Sequence, residues 1–272
     1  MTPPSTALPS LPVTITRVST GADVGSLVFF PDFGGSTLYA RHLIAELGKE
    51  IRCLALRLAP DMIENLPRLS LEEISRRFAQ DILDAGLPRP LHLVGFSFAG
   101  FLAHETGRQM ALLGEPPDRV WIYDLLVYSP LSWRMILDEP VRHGTALAVY
   151  FAKNWRRVLL GKGQADTLHA YGLVRVSLSS HPESYRFIMR NLYQAMEKHR
   201  PQPSPVATSV VRALQNKALK RSSPDLGWLQ FAEGPFSVES VPGDHLSMLR
   251  SPENALIIAD ITRRAFRAGA WE

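Results

Sequence analysis

The sequence has little that would stabilise a secreted domain or anchor a protein in a membrane. Its single cysteine, Cys53, excludes a disulfide within the chain. No uninterrupted apolar run approaches the about 20 residues that a transmembrane helix needs. Residues 1–12, MTPPSTALPSLP, lack the basic start and the apolar stretch of a signal peptide and predict a flexible tail. We therefore expect a cytoplasmic protein without a membrane segment, in which Cys53 is a buried structural thiol.

Acidic residues are scarce in one part of the chain. Residues 131–221 contain 15 Lys or Arg against 5 Asp or Glu, a balance of +10, whereas the remaining residues have a balance of −6. A basic segment inside an otherwise acidic protein favours an anionic partner. The alternative is a solvated helical surface without a partner, which would have the same composition. No recognised nucleic-acid-binding motif accompanies the segment, so nucleic acid ranks last among the candidate partners.

Short apolar stretches alternate with helical patterns along most of the chain. The predicted strands are 27–30, 51–56, 91–94, 120–123, 206–214 and 236–241. Helices are predicted from Ser36, from a capping box at Ser70, over 98–113 and over 252–266. This alternation predicts a mostly parallel sheet flanked by helices. Residues 131–204 interrupt it with an irregular helical pattern and no clear strand, so we predict one α/β domain over 13–272 with a helical insertion.

Ser97 occupies the turn between a predicted strand and a predicted helix, in the run Gly95-Phe96-Ser97-Phe98-Ala99-Gly100. A nucleophile on such a turn needs small residues two positions before and two positions after it. Gly95 meets this need, and Ala99 departs from the usual glycine by one methyl group. The turn predicts a serine nucleophile of the α/β-hydrolase type, with the Phe98 N–H directed at developing negative charge.

A base and an acid are available at the same predicted edge of the sheet. His245 follows the last strand, while the other histidines lie in helices, in a strand or in the insertion. The strand after the insertion leads into residues 215–218, which contain no acid. Asp124, by contrast, ends the fourth strand 27 residues after Ser97. We therefore predict Ser97, Asp124 and His245 as nucleophile, orienting acid and base.

The loop after the first strand, Phe30 to Gly35, is expected to supply a second oxyanion donor. The Phe33 N–H is the best candidate by position. Asp32 is awkward there, because a carboxylate beside a developing oxyanion opposes catalysis. We expect its side chain to point away and to cap the following helix.

These motifs together resemble the thioesterase family of nonribosomal peptide and polyketide synthesis, which belongs to the α/β-hydrolase superfamily. The resemblance covers nearly the whole chain. It rests on the Phe-Pro-x-x-Gly-Gly loop at 30–35, the turn at 95–100, the stretch from Glu105 to Asp124, and the motifs Asp225-Leu226-Gly227-Trp228 and Pro242 to Leu249. The last two motifs are typical of these thioesterases and not of α/β-hydrolases in general.

The resemblance implies release of an acyl or peptidyl chain from the phosphopantetheine arm of a carrier protein, by hydrolysis or cyclisation, in antibiotic biosynthesis. It implies no metal and no cofactor of the enzyme's own. The insertion would be a lid that shapes the acyl pocket. Carrier proteins in such systems are typically acidic, so Arg156, Arg157 and Lys162 of the basic segment are candidate docking residues. Because the chain begins at Met1 without a preceding carrier domain, we expect a free-standing protein, with an excised terminal domain as the alternative.

Two other functions remain open at this point. A carboxylesterase or lipase would use the same three residues on oxygen esters. A catalytically silent carrier-binding protein could retain the fold without the chemistry.

Overall fold

The computed structural model describes residues 11–19, 24–127, 167–170, 174–177, 182–216, 219 and 222–267. Most of the predicted N-terminal tail and much of the predicted insertion lie outside these residues, as do Arg156, Arg157 and Lys162. None of the helices in the described part is long and apolar enough to cross a membrane.

A seven-stranded, mostly parallel sheet forms the centre of the described structure. Its strands are β1 (Ile15–Arg17), β2 (Ser26–Phe29), β3 (Arg52–Leu56), β4 (Leu91–Phe96), β5 (Arg119–Tyr123), β8 (Thr208–Ala213) and β9 (Phe236–Val241). Across the sheet they run in the order β1-β3-β2-β4-β5-β8-β9, and only β1 is antiparallel to its neighbour. The carboxyl ends of β4, β5, β8 and β9 therefore lie side by side along one edge.

Helices cover both faces of this sheet. They are α1 (Arg41–Leu47), α2 (Pro60–Asn65), α3 (Leu71–Asp84), α4 (Ala99–Leu112), α5 (Glu183–Lys198), α6 (Ser247–Arg250) and α7 (Pro252–Arg267). Residues of α2 to α5 pack in one hydrophobic cluster, and residues of α1, α6 and α7 pack in a second. The predicted α/β-hydrolase architecture is confirmed.

The pattern of β4 shows why the sequence folds in this way. All six of its residues are buried. Leu93 packs in the cluster with α3 and α4, whereas Val94 packs in the cluster with α1 and α7. A strand covered on both faces needs apolar side chains in consecutive positions, which is why it appears in the sequence as a short continuous apolar run.

Two local predictions are confirmed in detail. Ser70 caps α3: its Oγ accepts the Glu73 N–H at 3.2 Å, and its own N–H donates to Glu73 Oε2 at 2.7 Å. Cys53 is fully buried, and burial raises the pKa of its thiol to about 12. The cysteine is therefore protonated at neutral pH and is a structural residue.

The prediction of an insertion without strands is wrong. Residues Thr167–Ala170 (β6) and Val174–Ser177 (β7) form an antiparallel pair, with Thr167 opposite Ser177. Each strand has only four residues, too few for a two-residue period to be distinguished from an irregular helical pattern. β1, with three residues, and α2, with six, were missed for the same reason.

Candidate active site

Ser97 lies on a sharp turn between β4 and α4. Its backbone has φ +53°, in the left-handed region, and its N–H donates to the Tyr123 carbonyl at 2.9 Å. A Cβ added at Gly95 would lie 2.1 Å from the Ala99 carbonyl oxygen, so only glycine fits there. The side chain of Ala99 is fully buried. The turn therefore accommodates the methyl group that departs from the usual second glycine.

The structure brings the three predicted residues together in a hydrogen-bonded row. His245 Nε2 lies 3.1 Å from Ser97 Oγ, and His245 Nδ1 lies 2.8 Å from Asp124 Oδ2. These contacts join residues 148 and 121 positions apart in the chain. In this arrangement the imidazole can take the serine proton through one nitrogen while the carboxylate orients the other.

Asp124 is held by the ends of two strands. It follows β5 with φ +49°, and its N–H donates to the Val211 carbonyl at 2.8 Å. Its carboxylate is buried and accepts the Ala213 N–H at 2.9 Å on Oδ1 and the Asn216 Nδ2–H at 2.5 Å on Oδ2. Sequence reasoning missed Asn216, because a neutral amide after a strand carries no special pattern.

His245 sits on a turn that its neighbours fix. Asp244 Oδ1 accepts the N–H groups of Leu246 at 3.0 Å and Ser247 at 2.8 Å, and these bonds keep the pKa of Asp244 below its usual value. The Phe96 ring stacks on the imidazole, with centroids 4.7 Å apart. The motif around the histidine therefore orients its ring before any substrate arrives.

The Asp225-Leu226-Gly227-Trp228 motif holds the chain that follows Asp124. Trp228 is buried, and its Nε1–H donates to the Leu125 carbonyl at 2.7 Å. The Val127 N–H donates to the Leu226 carbonyl at 2.9 Å. A tryptophan 103 residues further along the chain thus holds the segment that directly follows Asp124.

The two residues that carry the predicted oxyanion donors are in contact through their side chains. The rings of Phe33 and Phe98 stack with centroids 4.2 Å apart and an interplanar angle of 18°. Within the described ranges, neither backbone N–H has an acceptor in the protein. An oxyanion hole requires free N–H donors, and the Phe98 N–H directly follows the nucleophile in the chain.

The expectation that Asp32 caps the following helix is wrong. The 3-10 turn at Leu38–Ala40 has no side-chain cap. Asp32 Oδ1 instead accepts the N–H groups of Gly34 and Ser36 within its own loop. A carboxylate can make these local bonds without reaching a helix.

The other histidines in the described part of the chain lie outside this row. His92 and His104 are both buried, and burial lowers the pKa of each to about 3. His199 Nδ1 lies 2.5 Å from Glu72 Oε1. No group of three or more His, Cys, Asp or Glu suited to a metal occurs among the described residues.

Comparison with known proteins adds to this geometry. Residues 26–131 match the family model described as thioesterase domain, a stretch that includes Ser97 and Asp124 and ends before His245. The resemblance to the thioesterases is confirmed. Over 113 residues, 42% of the chain, the sequence is 32% identical to N-(5-amino-5-carboxypentanoyl)-L-cysteinyl-D-valine synthase of Amycolatopsis lactamdurans.

A second curated relative matches a longer part of this thioesterase-like chain. It is the spectinabilin polyketide synthase system protein NorC of Streptomyces orinoci, 24% identical over 243 residues, or 86% of the chain. The chain spans only 3% and 9% of the two relatives' lengths. Among solved structures, the type II thioesterase BorB from the borrelidin biosynthetic cluster has a TM-score of 0.63 and 17% identity, covering 95% of this chain and 98% of that one. At this identity the likeness shows the fold alone.

Proposed function

We propose that this chain is a thioesterase that releases an acyl, polyketide or peptidyl chain from a phosphopantetheine carrier protein through an acyl-enzyme at Ser97. The observation that carries the proposal is the hydrogen-bonded row of Ser97, His245 and Asp124, in which the serine lies on a strand-to-helix turn. His245 Nε2 is 3.1 Å from Ser97 Oγ, and His245 Nδ1 is 2.8 Å from Asp124 Oδ2. The N–H groups of Phe33 and Phe98, for which the described structure shows no acceptor, and the stacking of these two residues' rings support it.

In the acylation step, Ser97 Oγ attacks the thioester carbonyl while His245 Nε2 takes the hydroxyl proton. The carbonyl oxygen becomes negatively charged and accepts hydrogen bonds from the Phe33 and Phe98 N–H groups. When the tetrahedral intermediate collapses, the C–S bond breaks and His245 returns the proton to the departing thiol. Asp124 stabilises the imidazolium in the interval.

In the release step, His245 takes a proton from water or from a hydroxyl or amine of the bound chain. The activated nucleophile attacks the Ser97 ester through the same oxyanion site, and the serine oxygen leaves with the proton from His245. Water gives a free acid, and an internal nucleophile gives a ring. The three residues support both outcomes.

The relatives support the proposed substrate class. The two curated relatives are a peptide synthase and a protein of a polyketide synthase system, and the structural relative is a type II thioesterase. A chain of this kind takes substrates held as thioesters on carrier proteins. The phosphopantetheine arm is then part of the substrate, and the enzyme needs no cofactor of its own.

We also propose that the insertion near residues 131–204 shapes the acyl pocket. Its last helix, α5, contacts the loop that bears Phe33: the Tyr193 and Phe33 rings have centroids 6.1 Å apart. A Cβ at Gly34 would lie 2.3 Å from Tyr185 Cε2. These contacts bring the insertion to the predicted oxyanion site, where the acyl chain would enter.

The test compares three substrates: an acyl-N-acetylcysteamine thioester, the same acyl group on a carrier protein, and its p-nitrophenyl ester. The proposal expects kcat/KM to be highest for the carrier-bound thioester, and turnover of all three to disappear in Ser97→Ala. A strong preference for the oxygen ester would identify a carboxylesterase or lipase instead. Carrier binding with unchanged product release in Ser97→Ala would identify a silent binding protein.

The basic segment gives a second test of the same proposal. Reversal of Arg156, Arg157 and Lys162 to Glu should raise KM for the carrier-bound substrate, because carrier proteins are acidic, and should leave the N-acetylcysteamine thioester unaffected. Equal effects on both substrates would contradict docking at these residues. Charge reversal of Glu253 and Asp260 on α7 is a control outside the basic segment.

A further inference from the structure

The loop between β2 and α1 is closed by a single carboxylate. Asp32 Oδ1 accepts the Gly34 N–H at 2.8 Å and the Ser36 N–H at 3.1 Å. In the same loop the Asp32 N–H donates to the Ser36 carbonyl, and the Gly35 N–H donates to the Asp32 carbonyl, each at 2.9 Å. Asp32 therefore uses both its side chain and its backbone to hold Gly34, Gly35 and Ser36.

Phe33 is the exception within this closed loop. The N–H groups of Gly34, Gly35 and Ser36 all donate to Asp32. In the described part of the chain, the Phe33 N–H has no acceptor. The bonds to Asp32 thus use the donors that follow Phe33 and leave the Phe33 N–H available.

Two aromatic contacts hold the closed loop from outside. The Phe33 ring stacks on that of Phe98, whose N–H is the other predicted oxyanion donor. Tyr185 of α5 lies against Gly34, where any side chain would collide with it. These two contacts hold the outside of the loop, and the bonds to Asp32 hold its inside.

The hydrogen bonds that Asp32 accepts do not depend on its negative charge. Its two hydrogen bonds on Oδ1 and the charge of Arg250 both favour the ionised carboxylate, while partial burial raises its pKa overall. A neutral oxygen acceptor in the same place would form the same loop. Negative charge is therefore not what the loop needs from this position.

We propose that Asp32 is a positioning residue for oxyanion stabilisation, which acts by accepting the Gly34 and Ser36 N–H groups and so fixes the Phe33 N–H toward the oxyanion. This inference rests on the proposed function, since it assumes that Phe33 is an oxyanion donor. It assigns a purpose to a residue whose charge would otherwise oppose catalysis.

The inference predicts opposite results for two substitutions. Asp32→Ala removes the acceptor, so kcat for the N-acetylcysteamine thioester should fall about 10- to 100-fold, up to the effect of losing one oxyanion donor, while KM changes little. Asp32→Asn retains an oxygen at the Oδ1 position and removes the charge. Its kcat should equal or exceed that of the unmodified enzyme.

Asp61→Ala on α2 is the matched control, because it removes an exposed carboxylate that pairs only loosely with Arg77, at 3.8 Å on the surface. It should leave kcat unchanged. Equal loss of kcat in Asp32→Asn and Asp32→Ala would overturn the inference, as would full activity of a folded Asp32→Ala. If Asp32→Ala fails to fold, the kcat of Asp32→Asn tests the inference. A kcat equal to or above that of the unmodified enzyme supports it, and a lower kcat overturns it.

The same set of variants separates this inference from the proposed function. If Ser97→Ala is inactive and Asp32→Ala has normal kcat, only the role of Asp32 is wrong. If Ser97→Ala remains active, the proposed function itself is wrong.

Discussion

Two buried histidines make the stability of this protein sensitive to mild acid. His92 and His104 are 2% and 1% exposed, and burial lowers the pKa of each to about 3. In the unfolded chain a histidine has a pKa of about 6.5. Between these values the unfolded state binds protons that the folded state cannot bind, so stability falls as the pH falls below about 6.5.

The size of the effect follows from the two pKa values. A pH of 5 lies about 1.5 units below the pKa of the histidine in the unfolded chain, so that histidine is protonated. The same histidine in the folded protein is still neutral at pH 5. Each histidine therefore destabilises the fold by about 2 kcal/mol between pH 7 and pH 5, since one pKa unit corresponds to about 1.36 kcal/mol. The two together should remove about 4 kcal/mol, a large part of a typical domain's stability.

His104 is the better residue for the test. Neither of its ring nitrogens has a hydrogen-bond partner among the described residues, and the nearby charged or titratable groups are His199 and Arg108. His92 instead accepts the Trp121 Nε1–H at 3.2 Å, so replacing it would leave a buried donor unpaired. His104→Leu replaces the imidazole with an apolar side chain of similar volume and should not lower stability at pH 7.

The assay is urea unfolding at several pH values between 7 and 5. The unmodified protein should lose about 2 kcal/mol more than His104→Leu over this range. Parallel pH dependences for the two proteins would refute the reasoning, because they would show that His104 binds a proton equally well in the folded and unfolded states.

Three further substitutions, one of them with a matched control, test the site and the fold. Asp124→Asn should lower kcat about 10,000-fold, or about 5.5 kcal/mol, with little change in KM, because the amide no longer selects the productive tautomer of His245; a loss under tenfold in steady-state kinetics would contradict this role. Gly95→Ala should abolish thioester turnover, since its Cβ would lie 2.1 Å from a backbone oxygen, whereas Gly86→Ala, with φ +54° and open space around it, should cost about 1 kcal/mol of stability and no activity. Ser70→Ala should lower the free energy of unfolding in urea by about 1 kcal/mol through loss of the α3 cap, and an unchanged midpoint would count against the capping box.

The sequence allowed good predictions where the structural requirement is local. The turn at Ser97 needs Gly95 because of atoms four residues away, and the Ser70 cap needs Glu73 three residues later. Such requirements leave a pattern within one short window. The central strands were predictable for a similar reason, since burial on both faces demands consecutive apolar residues.

Interactions between distant segments were harder to predict. Asn216 reaches Asp124 across 92 positions, and a neutral amide near the end of a strand carries no special pattern. The sequence predicts Asp32 as the cap of a following helix, but the N–H groups that its carboxylate accepts lie within its own loop. Trp228 was recognised by family resemblance, and its bond to the Leu125 carbonyl gives the physical reason for its presence.

The central claim is that a carrier-bound acyl chain passes through an ester on Ser97. Rapid quenching of the enzyme with a panel of acyl-carrier substrates, followed by intact-protein mass spectrometry, tests it directly. The account predicts a mass increase equal to the acyl group, located on the peptide that contains Ser97 and absent from Ser97→Ala. Turnover without any such adduct, together with normal turnover by Ser97→Ala, would contradict it.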